Sequence, residues 1–227
     1  MVALLLPLLP ALVCAQQTYV TRFDAYGGYT YLNSPNIGLV EHGFETQVGV
    51  RVSRWLSLGF DYSISTGSLT LTPELLTTSL QQTLAAQFAQ LVAAGVIPPT
   101  YRLAVPTDSL TQTFAGGPQF SYRRFKKVTL FVRPSFGIVH ETATPRPLDP
   151  IAAGVVMQLA PSGQKTDNTV FYGFGGGVDY NFSKHVGVRL QGDFVHDHLF
   201  NDLLQNARNT MRFSVGPAFN FGPNILK

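Results

Sequence analysis

The stretch LSLGFDYSIS, from Leu56 to Ser65, alternates without a break. Leu56, Leu58, Phe60, Tyr62 and Ile64 share one face of an extended chain, and Ser57, Gly59, Asp61, Ser63 and Ser65 share the other. A period of two is the strand period. A soluble sandwich strand alternates too, but its polar face meets water and carries Lys and Glu. Here the polar face is small and holds one acid, which suits a cramped interior. The large apolar face then suits lipid.

The same pattern recurs on both sides of this stretch. Upstream, Phe44, Val48, Val50 and Val52 oppose Glu45, Gln47, Gly49, Arg51 and Ser53. Downstream, Val186, Val188, Leu190 and Phe194 oppose Gly187, Arg189, Gln191, Asp193 and Asp197, and Phe213, Val215, Phe219 and Phe221 oppose Arg212, Ser214, Gly216 and Asn220. Four weaker segments keep the phase, near residues 22–32, 112–123, 128–141 and 170–182. Each of the eight is long enough to cross a bilayer, since a tilted strand needs about 9–11 residues. No Lys falls in a strand interior, and aromatics such as Tyr29, Trp55, Tyr122, Tyr172 and Phe182 gather near strand ends, as in interfacial girdles.

Composition agrees. Among 227 residues there are 16 Lys+Arg and 13 Asp+Glu, a net charge of +3, and charged residues make up 13%, against about 25% in soluble domains. Mean hydropathy is only +0.12, and no stretch beyond the N-terminus holds the ~18 consecutive apolar residues of a membrane helix. The fold class expected is all-β: an eight-stranded antiparallel up-and-down transmembrane β-barrel.

Connections set its orientation. The odd-to-even ones, 33–43, 67–110, 142–168 and 198–209, are long, and the even-to-odd ones at Ser53-Arg54, 124–127 and 183–185 are tight. Short periplasmic turns and long outer loops are the barrel asymmetry, so both termini are expected in the periplasm. Residues 1–15, MVALLLPLLPALVCA, read as a signal peptide cleaved after Ala15, and residues 16–227 as the outer-membrane barrel domain. Cleavage would remove Cys14, the single cysteine. These features place the chain in the outer membrane of a Gram-negative-type bacterium.

Eight strands, short inner turns, long outer loops and the aromatic final strand MRFSVGPAFNF, Met211 to Phe221, resemble the OmpA-like outer-membrane β-barrel superfamily. The resemblance covers Tyr19 to Gly222, the barrel without the periplasmic peptidoglycan-binding domain of the family's larger members. It implies insertion by the barrel-assembly machinery and contact with outer-membrane lipids, lipopolysaccharide included.

Parity sends Arg22, Asp24, Glu45, Arg51, Asp61, Arg133, Asp179, Arg189, Asp193 and Arg212 to the lumen, five arginines against five carboxylates. An eight-stranded barrel is only wide enough for side chains to fill it. Balanced charge there is expected to form an ion-pair network that plugs the lumen. The alternative is a narrow conduit for small solutes, apolar ones among them.

Motifs that carry chemistry are scarce in the chain. GxSxG, HExxH, CxxC and P-loop patterns are absent. Phe174-Gly175-Gly176-Gly177 sits mid-strand, where glycine serves barrel curvature or close packing rather than phosphate binding. His196-Asp197-His198 offers two imidazoles on one face, with Asp202 as a third ligand, but at a solvated interface. His140-Glu141 lacks the local serine that a lipid A-modifying hydrolase would use. No catalytic residue, cofactor or metal site is assigned. Arg123-Arg124-Phe125-Lys126-Lys127 reads as a solvated basic turn that can touch headgroups or peptidoglycan. Nucleic acid is excluded as a partner by export.

The second outer loop has a helix grammar. Thr72 is a candidate cap, Pro73 and Glu74 suit a first turn, and Gly95 and Pro98-Pro99 stop the helix. Leu80, Leu84, Phe88 and Leu91 form one stripe, and no charge occurs from Leu75 to Tyr101. An uncharged amphipathic helix must bury its stripe, against the barrel mouth or against an extracellular partner. The functional expectation is a structural and interaction barrel that presents its outer loops.

Overall fold

A computed structural model describes residues 17–226; the expected signal peptide, residues 1–15, lies outside them. Eight strands close into one barrel in sequence order. They are β1 (Thr21–Ser34), β2 (Leu39–Arg51), β3 (Leu56–Leu71), β4 (Val105–Tyr122), β5 (Val128–Pro145), β6 (Lys165–Asn181), β7 (Val186–Asp197) and β8 (Arg208–Asn224). Every neighbouring pair is antiparallel, and β1 meets β8 to close the sheet, with Tyr29 opposite Val215 and Thr30 opposite Ser214. Closure removes the free edges that would otherwise expose backbone N–H and C=O groups to lipid. No helix among the described residues is long and apolar enough to cross a membrane.

The strand faces sort as the polarity predicts. Leu58, Phe60, Phe136, Leu190, Phe213 and Phe219 point outward with about half their surface accessible, and Ser57, Asp61, Arg189, Arg212 and Ser214 are buried inside. From Leu56 to Ile64 the outward run covers eight steps of roughly 3.3 Å. At a tilt of about 40° that is roughly 20 Å of height, close to the ~25 Å apolar band of outer-membrane barrels. Near its inner limit, Trp55 stacks on Phe120, with ring centroids 6.1 Å apart. Near its outer limit three outward histidines are each tied to a neighbouring strand: His42 to Tyr29, His140 to Asn168 and His196 to Asn209.

The strands run well past that band, which corrects the expected loops. Residues 67–71 and 105–110 are paired strand, with Gly67 opposite Ser109 and Leu71 opposite Val105. Residues 142–145 and 165–168 also extend the sheet. The first outer connection shrinks to a tight turn at 35–38, where Gly38 adopts φ 66. Beyond the bilayer the outward face no longer has to be apolar, so the period-two signal vanishes while the hydrogen bonding continues.

Two helices lie above the barrel. The first, α1 (Thr78–Ala93), follows a single 3-10 turn at Pro73–Leu75. Thr72, Pro73 and Glu74 therefore start the short turn rather than the α-helix, and Thr77 caps α1 without a side-chain bond. Gly95, at φ 68, ends the helix as expected. The second, α2 (Pro150–Leu159), was not anticipated; Asp149 caps it by accepting from the Ala152 N–H at 2.8 Å.

Candidate functional site: the plugged lumen and its outer cap

The lumen is filled in layers. In the first, Arg189 donates to both oxygens of Asp179 at 2.7 and 3.0 Å, to Gln47 at 2.7 Å, and reaches Asp24 at 3.5 Å. Arg51 sits 3.5 Å from Asp24 on its other side. In the next, Arg133 and Arg212 share Asp193, at 2.9 and 3.0 Å, and both face Asp61 and Glu45. Glu45 also accepts from Gln47, Gln191 and Ser214. A buried charge left alone costs several kcal/mol, so each arginine here holds at least one carboxylate.

Glycine makes the room. A side chain at Gly175 would collide with the Asp193 carboxylate, and a Cβ at Gly49 would lie 2.7 Å from Asp24. The Gly175-Gly176-Gly177 run is thus a close-packing device under the ion pairs. The void among Asp24, Gln47, Asp61, Arg133 and Arg189 measures about 30 Å³, roughly the space of a single water.

One expected lumen residue is elsewhere. Arg22 is exposed, because the β1–β8 register shifts between Thr21 and Phe23 and turns Thr21 inward instead. The other nine expected charges are buried in the barrel interior.

A third charged layer, of which the sequence reading placed only Asp197 on the inward face, lies nearer the outside. Arg208 pairs with Glu141 and, at 3.1 Å, with Asp197. Ser109 Oγ lies 2.9 Å from both Glu41 and Glu141, within reach of either carboxylate, and Thr111 Oγ1 lies within reach of the same two. Leu32, Val139, Phe171 and Val195 separate this layer from Arg212 around a void of about 20 Å³. The layer was legible by parity: Glu41, Asp197 and Arg208 each lie four residues along a strand from a recognised lumen charge.

This layer breaks up the two sequence clusters considered for chemistry. Asp197 and Glu141 turn inward to Arg208, while His196 and His140 stay outside on Asn209 and Asn168. Asp202, the suggested third ligand, pairs with Lys165 at 2.5 Å. Among the described residues no group of three or more His, Cys, Asp or Glu is placed to hold a metal.

Above the charges is an apolar chamber of about 70 Å³, walled by Leu69, Leu71, Val105, Val155, Leu159 and Phe200 and floored by Glu141. The helices roof it. Leu84 of α1 is buried with Leu76, Leu103, Ala152, Val155 and Val156, and Leu80 and Phe88 pack onto that cluster. Leu91, the fourth residue of the expected stripe, is half-buried outside it. Thr77 N–H donates to Leu203 O at 2.8 Å and Gln205 N–H to Leu75 O at 3.0 Å, locking the second outer loop to the fourth. Tyr101 donates to the Asp149 carboxylate at 3.1 Å, joining the second loop to the cap of α2. Partial burial, and then Asp149, push the Tyr101 hydroxyl up to about 12.

No protein-family model and no curated protein matches the chain. Solved structures do. The attachment invasion locus protein Ail of Yersinia pestis aligns over 89% of this chain and 99% of its own, with a TM-score of 0.50 at 9% identity. Neisserial surface protein A aligns over 88% and 96%, with 0.51 at 11% identity. OprG of Pseudomonas aeruginosa aligns over 92% and 100%, with 0.52 at 8% identity. At such identities the likeness is one of fold, and that fold is the eight-stranded outer-membrane β-barrel.

Proposed function

We propose that this chain is a structural and interaction protein of the outer membrane, a rigid plugged barrel that holds a folded extracellular cap. One observation carries the reading: the lumen is blocked by three layers of buried ion pairs, while the outer loops interlock into a defined surface rather than trailing as free chain. A conduit needs a continuous path, and two voids beside the charged layers hold only about 30 and 20 Å³. Among barrels of this fold, Ail carries attachment in its name, and a role of that kind suits the cap. The likeness to the OmpA-like superfamily, export by a signal peptide, insertion by the barrel-assembly machinery, periplasmic termini and lipopolysaccharide around the outer girdle belong to the same reading. Purified protein in planar bilayers should give no steady nanosiemens-scale conductance. Deleting residues 73–98 behind a short Gly/Ser bridge should leave insertion intact and abolish cell-surface binding. Steady channels, or full binding without α1, would sink the proposal.

The apolar chamber favours a second reading, passage of small apolar solutes, because it is a site that such a solute can enter. Its floor is Glu141 held by Arg208, so passage requires that pair to open. Uptake of a small hydrocarbon into proteoliposomes separates the two readings.

A further inference from the structure

The inner mouth differs from the rest of the lumen. It holds a cavity of about 450 Å³ lined by Arg51, Arg123, Lys126, Lys127 and Lys184, with no Asp or Glu in its wall. The segment before β1 crosses it: the Gln17 side chain donates to Thr129 Oγ1 at 3.0 Å on β5, across the barrel from β1. Lys184 lies 5.0 Å from the centre of the Tyr19 ring and fixes that strap at its side.

Arg123 is the decisive residue. It is 7% exposed, and its three hydrogen bonds all go to neutral acceptors: Arg54 O at 3.1 Å, Thr129 Oγ1 at 3.1 Å and Ser121 Oγ at 3.4 Å. Among the described residues no carboxylate lies within ion-pair distance of it, whereas the buried arginines of the charged layers each hold one. A buried guanidinium without a counter-charge is costly. Arg51, itself paired with Asp24, and three lysines line the same cavity, so an anion there gains charge-assisted contacts with Arg123 and with the lysines.

We propose that the inner mouth is a binding site for a phosphate-bearing anion. The cavity has room for a headgroup-sized group and is too small for a folded partner. Its position favours a lipid as the source of the phosphate. Phe182, in the turn after β6, lines the cavity, is 62% exposed and meets the outward Tyr180 edge-on. Lys126 and Lys127 follow Phe125, whose ring meets Tyr122 edge-on at the inner girdle. The cations therefore sit level with the headgroups of the inner leaflet, where a basic cluster attracts anionic phospholipid.

The test uses the full chain in non-ionic detergent, with native mass spectrometry counting retained phosphatidylglycerol against phosphatidylcholine, and calorimetric titration with inorganic pyrophosphate. Retention of phosphatidylglycerol over phosphatidylcholine, displaced by pyrophosphate, supports the site with a lipid source. Pyrophosphate binding without a lipid preference supports the site with a soluble phosphate source. The triple variant K126Q/K127Q/K184Q should weaken binding by roughly tenfold or more, and R124Q, a neighbouring cation outside the cavity wall, should not. Heat-dependent gel migration checks that each variant is folded, and the wild-type lipid preference decides the matter if the triple variant is not. The proposal is overturned if neither ligand binds the wild type, or if R124Q weakens binding as much as the triple variant.

Discussion

Strand β3 passes through two environments. From Leu56 to Ile64 its large apolar side chains point out and its serines and Asp61 point in. From Thr66 to Leu71 the sense reverses: Thr66, Ser68 and Thr70 are exposed, and Leu69 and Leu71 wall the inner chamber. Strand β5 does the same, with Phe136 and Ile138 outward and then Thr142 outward and Ala143 inward. The hydrogen-bonded sheet is continuous across the change. What changes is the solvent, lipid below and water above, so one barrel carries a membrane protein's inside-out polarity and a soluble protein's ordinary polarity on the same strands.

The sharpest way to break this contrast is to remove a charge from the lower section. Arg189→Leu strips Asp179 and Asp24 of their shared guanidinium and should cost about 3–5 kcal/mol, read from denaturant unfolding in lipid bilayers. Next, a charge placed on the wall should distinguish the two sections. Leu190→Arg, in the middle of the lipid face, should cost about 2–4 kcal/mol. Ser68→Arg, on the same wall above the band, should change stability by less than about 0.5 kcal/mol. Equal effects of the two would place the lipid boundary wrongly.

Truncation in the upper section should act locally. Leu84→Ala removes a buried side chain of the cap and should cost about 2 kcal/mol. Protease should then cut α1 faster while the heat-dependent gel shift of the barrel stays unchanged.

The smallest expected effect is in the latch between loops. The Tyr101 hydroxyl is raised above its ordinary value of 10.0 to about 12. A group raised on folding adds stability that is complete below its unfolded value and fades as pH climbs through its folded value. The latch should therefore hold below pH 10 and weaken toward pH 12, read as hydrogen exchange at α2. Tyr101→Phe should remove that dependence and speed exchange at lower pH by a few-fold, as expected for a net hydrogen bond of about 1 kcal/mol.

The same reversal of polarity explains what the sequence disclosed. Within the band, lipid forces an apolar outward face, and the alternation from Leu56 to Ile64 is enough to find the strand and its inward charges. Above the band, Thr66, Ser68 and Thr70 look like loop residues, and the strand extensions disappear into apparent long connections. Glu41, Asp197 and Arg208 were nonetheless readable by carrying parity four residues past Glu45, Asp193 and Arg212. Arg22 was misplaced because a local register shift flips every side chain beyond it, and composition holds no sign of that shift. The first turn of α2 was also present, in Asp149-Pro150 ahead of an apolar run. The chamber was not, since it arises from Leu71, Val105, Val155 and Phe200 meeting across four separate segments.

The strap across the inner mouth has a consequence in time. Gln17 reaches Thr129 over a sequence separation of 112 residues, and Ile225 N–H donates to Val20 O at 2.9 Å. The first of these contacts needs β5 in place and the second needs the end of β8, so the strap settles only after the two ends of the chain have met. Closing so long a loop carries a large entropic cost before any contact repays it. Protection of residues 17–20 is thus a clock for the last event of assembly: it reports that the sheet has become a ring.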